Sequence, residues 1–186
     1  MSSDSVTDAL VAWLDAPNVI GLSRVYDEAP WYVEPTSWDL AAQLGWGAVG
    51  FIHINHEQEH RVAMGGSQGG IKQIDYDVGL VLCFQYLIGS TIDPDSGSTG
   101  YRRPLNQLLD GVRARLRQDR TIGTAPGVDG LGGIEIEPGG SILQVGEGDG
   151  TSGVDITVTR DLPRRAPGKI WSWQLVEFKV VEFAVT

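Results

Sequence analysis

The stretch Ile71-Lys-Gln-Ile-Asp-Tyr-Asp-Val-Gly-Leu-Val-Leu-Cys-Phe-Gln-Tyr-Leu-Ile88 decides how this chain folds. Ile74, Tyr76, Val78, Leu80, Leu82, Phe84, Tyr86 and Ile88 occupy every second position without a break. Successive side chains of a strand point to opposite faces, so this spacing places one continuous apolar face on one strand. At ~3.4 Å per residue such a strand exceeds ~50 Å, far longer than usual. It is therefore expected to bend or bulge at Gly79, or to project beyond its domain.

On the N-terminal side, Gly65-Gly-Ser-Gln-Gly-Gly70 reads as a turn. Ala48 to Asn55 reads as a β-rich strand before it, with His56 to His60 a solvated hairpin segment and Arg61 to Met64 continuing or returning. Val19 to Tyr26 is a further strand. Val6, Leu10, Trp13 and Leu14 recur at helical spacing after a Ser5-Val-Thr-Asp8 capping sequence, and Pro17 ends that helix.

On the C-terminal side, Pro104 suits a first helical position, and Leu105, Leu108, Leu109, Val112 and Leu116 form one apolar stripe flanked by Arg113, Arg117 and Arg120. Eleven glycines crowd Gly123 to Gly153, with strand-like pieces at Ile134 to Glu137 and Ile142 to Val145. Val154 to Thr159 reads as a strand, Pro163 to Pro167 as a basic loop, and Ile170 to Val185 as a closing strand. That strand is apolar on both faces, with Trp171, Trp173, Leu175, Val181 and Phe183 on one and Ile170, Val176, Phe178 and Val180 on the other. Such a strand is covered on both sides, by its own domain or by a partner. The expected fold is α+β: a single domain over 1–186, with a mainly antiparallel twisted sheet, two main helices on one face, a long hairpin and a glycine-rich insertion at about 121–153.

Composition narrows function. The 186 residues are 41% hydrophobic, which excludes a disordered acidic tail, and they carry a formal charge of −10, which disfavours generic nucleic-acid binding. Cys83 is the only cysteine, so no intrachain disulfide forms; it reads as a small buried hydrophobe. The polar, acidic start lacks a signal-peptide pattern, and the uncharged run Val78 to Ile92 is too short to span a bilayer. A cytosolic protein without membrane contact is expected. Eleven of the fourteen basic residues are arginine, which suits bidentate contacts at protein interfaces and also fits simple compositional bias.

Several strings imitate chemistry. His56-Glu-Gln-Glu-His60 spells H-E-x-x-H, which needs both histidines on one helical face and Glu57 as the base beside a zinc-bound water. Its β-rich lead-in and the polar Gln58-Glu59 pair argue for a solvated segment instead, and no cofactor or metal is expected. Gly148-Asp-Gly-Thr-Ser-Gly153 precedes a strand where a dinucleotide site needs a helix. Asp93-Pro-Asp-Ser-Gly97 lacks the closing glutamate of a calcium loop. The arginines beside the second helix suit acidic neighbours, on the same or another subunit, better than phosphate. For Trp31, Trp38 and Trp46, core and interface roles are equally consistent.

Taken in order, four segments resemble the tail terminator proteins of long-tailed, siphovirus-type bacteriophages, especially those of actinobacterial hosts. They are the N-terminal helix with Val19 to Tyr26; Gly50-Phe-Ile-His-Ile-Asn55 with His60-Arg-Val-Ala-Met-Gly-Gly66, running into Lys72 to Leu82; Leu108-Leu-Asp-Gly-Val-Arg-Ala-Arg-Leu-Arg-Gln-Asp-Arg120; and Val176-Glu-Phe-Lys-Val-Val-Glu-Phe183. The resemblance implies a small α+β virion subunit without catalytic residues. It also implies a homohexameric ring at the tail–neck junction that caps the tail tube, ends its polymerisation and meets the head connector. Its partners would be further copies of itself, the major tail tube protein and the connector or stopper protein, with viral DNA passing through unbound. The glycine-rich insertion and the Pro30 to Pro35 loop depart from shorter members. Interface residues are expected at His56, Arg61, Arg113, Arg117, Arg120, Trp171 and Trp173. The competing readings are another neck or tail-completion protein and a zinc hydrolase using His56, Glu57 and His60.

Overall fold

The computed structural model describes residues 3–15, 19–28, 44–63, 71–88, 100–118, 121–122, 141–146 and 154–185. Its elements are α1 (Ser3–Asp15), β1 (Leu22–Tyr26), β2 (Trp46–Ala63), β3 (Ile71–Leu87), α2 (Arg102–Gln118), β4 (Ser141–Val145), β5 (Thr157–Arg160), β6 (Arg164–Ala166) and β7 (Lys169–Val185). The class is α+β, with two helices and one strand-rich sheet in the order β1-β2-β3-β7-β4, where β5 and β6 also pair with β7. The β1–β2 pair is parallel; β2–β3, β3–β7 and the pairs of β4, β5 and β6 with β7 are antiparallel.

The alternation along β3 becomes the core. Ile74, Tyr76, Val78, Leu80, Leu82, Phe84 and Tyr86 are all buried, in one cluster with Val176, Phe178 and Val180 of β7, Leu143 and Val145 of β4, and the helix residues Val6, Leu10, Leu14, Leu105, Leu108, Leu109, Val112 and Leu116. Burying each large side chain is worth roughly 1.5–3 kcal/mol, so this face dominates stability. The opposite face holds a smaller cluster of Val49, Phe51 and Cys83, against which Val81 and Trp173 pack.

β3 carries no bulge at Gly79. Its register with β7 runs unbroken from Ile71↔Val185 to Leu87↔Lys169. The irregularity falls in its other neighbour: Ile54 pairs with Val78 and His56 with Asp77, so Asn55 is the extra residue of a bulge in β2. His56 to His60 form one arm of the β2–β3 hairpin, and Arg61 to Ala63 continue the same 18-residue strand rather than return from it. The basic loop expected at Pro163 to Pro167 instead contains β6, whose Arg164–Ala166 pair with Lys169 to Trp171. Residues 29–43, 64–70, 89–99, 119–120 and most of the glycine-rich stretch lie outside the described residues, and with them Trp31, Trp38, Arg120, the Asp93 string, Ile134 to Glu137 and the Gly148 to Gly153 string.

Trp46 is a core residue: it is 7% exposed and its ring centroid lies 6.3 Å from that of Phe84. It needs Gly21 beside it. Gly21 holds φ +82°, in the left-handed region, and a Cβ there would land inside the Trp46 indole.

Candidate interaction surface

Directly opposed residues of neighbouring strands share a face, so the register assigns every strand side chain. On the face away from the helices, Phe51, Val81 and Leu175 form one row, and Val49, Cys83 and Trp173 the next. Tyr26 stacks on Phe51 with centroids 5.8 Å apart, Phe51 lies 6.3 Å from Trp173, and Trp173 meets Trp171 edge-on at 6.4 Å. Arg24 sits 5.3 Å from the Tyr26 ring and Arg164 5.1 Å from the Trp171 ring. The two tryptophans picked out as interface residues thus belong to a half-buried aromatic strip edged by arginines. Burial pushes the Cys83 thiol in this strip up to about 12, partly offset by the Lys169 charge. That thiol remains protonated and inert, since the thiolate is the nucleophile.

Further along the same face the chemistry turns polar. His56 lies opposite Asp77, which lies opposite Lys179. His60 Nε2 is 3.4 Å from Asp75 Oδ2, and Gln73 Nε2 donates to Asp75 Oδ1 at 2.7 Å. The bulge at Asn55 shifts the period, so Glu57 and Glu59 lie on the helix-side face, and Glu59 meets Lys72 at 3.1 Å. The H-E-x-x-H string is therefore laid out on a strand. His56 and His60 share a face but stand ~13 Å apart along it, and Glu57 points to the other side. The one-sided helical geometry that zinc chemistry requires of this string is not formed. Arg61 is opposite Lys72 in backbone register.

Below the helix-side face, Glu182 is fully buried on β7 and its Oε2 accepts the Tyr76 hydroxyl at 3.0 Å. Burial, this hydrogen bond and the charges of Glu182 and Glu57 hold the Tyr76 phenol well above its ordinary value. The pair is a structural anchor between β3 and β7.

On α2, Arg113 Nη1 meets Asp110 at 3.1 Å, one turn back on the same helix, and Arg117 is exposed. The expected arginine flank thus has a local acidic partner at Arg113. The arginine that matters for packing was not singled out by the flank. Arg115 is buried, its guanidinium carbon 3.4 Å from the Trp13 ring centroid. Its Nε and Nη2 donate to the Trp13 carbonyl at 3.2 and 3.0 Å, and Nη1 to Gln118 Oε1 at 3.2 Å. Its signal was present in the sequence: residue 115 falls seven after Leu108 and three after Val112, inside the apolar stripe.

A cavity of about 440 Å³ opens where β4 ends and β5 begins along β7, lined among others by Asn55, Asp77, Asp155, Thr157, Glu177 and Lys179. Three carboxylates and one lysine make it acidic. Among the described residues no group of three or more His, Cys, Asp or Glu side chains is arranged to hold a metal ion, and no helix is long and apolar enough to cross a membrane. In comparisons with known proteins, no family model and no curated protein matches this chain.

Proposed function

We propose that this chain is a structural assembly subunit, a tail-terminator-like protein that forms a ring of copies, caps a phage tail tube and joins it to the head connector. The reading comes from the order and spacing of the segments quoted above. One structural observation supports it. The β2, β3 and β7 strands are 18, 17 and 17 residues long, which at ~3.3 Å per residue makes a blade of ~55 Å. The helices, at 13 and 17 residues and 1.5 Å per residue, span only ~20 and ~25 Å. A blade this much longer than the helices that cover it suits a subunit whose sheet extends to neighbours.

The test is microscopy of the purified protein and of virions. Closed rings in negative stain, and labelling of the same protein at the tail–neck junction, are the expected result. A protein monomeric at every concentration and absent from that junction overturns the reading.

A further inference from the structure

The loop between β5 and β6 carries an unusually exposed apolar side chain. Leu162 is 81% exposed, the most exposed of the large apolar side chains among the described residues. Arg160, Arg164 and Arg165 flank it along the chain, all exposed; Arg164 meets Asp161 Oδ2 at 3.7 Å and lies against the Trp171 ring. In a chain of net charge −10, the segment 160–165 is locally basic, with three exposed arginines and one aspartate beside the exposed leucine. The acidic cavity lined by Asp77, Asp155 and Glu177 is its chemical counterpart on the same molecule.

The loop cannot enter its own cavity. Asp161 N donates to the Trp173 carbonyl at 3.1 Å, which pins the loop at that level of β7. The cavity sits at Glu177 to Lys179, about five residues or ~17 Å further along the same strand. Only three residues, Asp161 to Pro163, join β5 to β6, and both strands are paired to β7. Loop and cavity are thus separate surfaces, set about five residues apart along β7.

We propose that the Leu162–Arg165 loop of one copy docks in the Asp77/Asp155/Glu177 cavity of a second copy, as the repeating contact of the assembly. This rests on the ring reading above and names its surfaces. Because the two surfaces differ, the contact is heterologous; repeated, it closes a ring or runs into an open filament according to its rotation. Opposite charges at the two surfaces also steer encounter and suppress wrong pairings.

Reciprocal charge reversal tests it. One variant carries Asp155→Lys and Glu177→Lys; the other carries Arg164→Glu and Arg165→Glu. All four side chains are exposed or partly exposed, and circular dichroism and melting temperature check that both variants fold. Each variant alone is expected to associate at least about tenfold more weakly than the unaltered protein in sedimentation velocity. An equimolar mixture is expected to regain association, because the reversed cavity of one fits the reversed loop of the other. Folded variants that each associate normally, or a mixture that regains nothing, overturn the docking. Rings that persist in both variants sink the docking and leave the ring reading intact. Open chains blocked by both variants and restored in the mixture support the docking and sink the ring. An unaltered protein that stays monomeric up to the highest soluble concentration overturns both.

Discussion

Replacing Arg115 with alanine should cost more than any other arginine substitution on α2, and the structure says why. The Trp13 carbonyl lies in the last turn of α1, where no intrahelical donor reaches it. Arg115 supplies two donors there, at 3.2 and 3.0 Å, and its cation lies at the negative end of the α1 dipole. The same guanidinium covers the Trp13 ring at 3.4 Å. Hydrogen bonds from a charged group are worth ~1.5–3 kcal/mol, and a desolvated cation–π contact up to ~2 kcal/mol. Because one group makes both, the contributions do not add fully, and truncation should cost about 3 kcal/mol. Alanine and arginine differ little in helix propensity, so α2 itself is not the cause. In a chain of this size the melting temperature should fall by ~6–12 °C. Arg113→Ala on the same helix is the control: it removes an exposed pair with Asp110 and should cost no more than ~0.5 kcal/mol. Urea unfolding of the two variants compares them directly, provided the slope with denaturant is unchanged. An Arg115→Ala protein within ~0.5 kcal/mol of the unaltered chain would refute the argument that this side chain ties α2 to α1.

Tyr76 makes stability fall at high pH. Its folded phenol keeps its proton above the value at which the unfolded chain ionises, so its contribution is whole below about pH 10 and declines at ~1.4 kcal/mol per pH unit above it; Tyr76→Phe should remove that slope in denaturant titrations, and an unchanged slope rejects the assignment. Cys83, with its thiol pushed up to about 12, should resist a thiol reagent at pH 8 in the native protein and react stoichiometrically after unfolding; native labelling at the rate of a free thiol contradicts its burial. Zinc added to the protein should give no stoichiometric heat in calorimetry, since His56 and His60 stand apart on one face of β2 with Glu57 on the other; one tight zinc per chain that is lost in His60→Ala would overturn the strand register.

What the sequence revealed depended on whether burial or pairing made each element. The apolar period of two along β3 and the stripe of α2 record burial, and both were legible residue by residue. The outer half of β2 records pairing. Its His56 to His60 are polar on both faces and are held by Asp75 and Lys72 across the strand, so no apolar alternation marks them. The bulge at Asn55 hid them further by reversing which parity faces the helices. Within Pro163 to Pro167, β6 was masked by its prolines, because three residues of an edge strand leave little pattern. For the candidate surface, alternation placed Trp171 and Trp173 on one face of β7, where the register puts them. The acidic cavity was not, because its lining comes from β2, β3, β7 and the approach to β5, brought together only by register.

β7 ties these features into one argument. It pairs with β3 along its whole length and with β4, β5 and β6 on its other edge, and its helix-side residues complete the core. A substitution that disturbs its backbone or buried side chains therefore disturbs the fold and the candidate contact together. The Leu162 loop is pinned to β7, and the cavity carboxylates Asp77, Asp155 and Glu177 come from β3, the approach to β5 and β7; none of them belongs to that core. Leu162, at 81% exposure, contributes almost nothing to the stability of a lone copy, and burying it elsewhere would be worth roughly 1.5–3 kcal/mol. An apolar side chain with no role in its own fold gains that energy only from a partner. The same separation lets charge be reversed at both surfaces while β7, and so the fold, stays as it is.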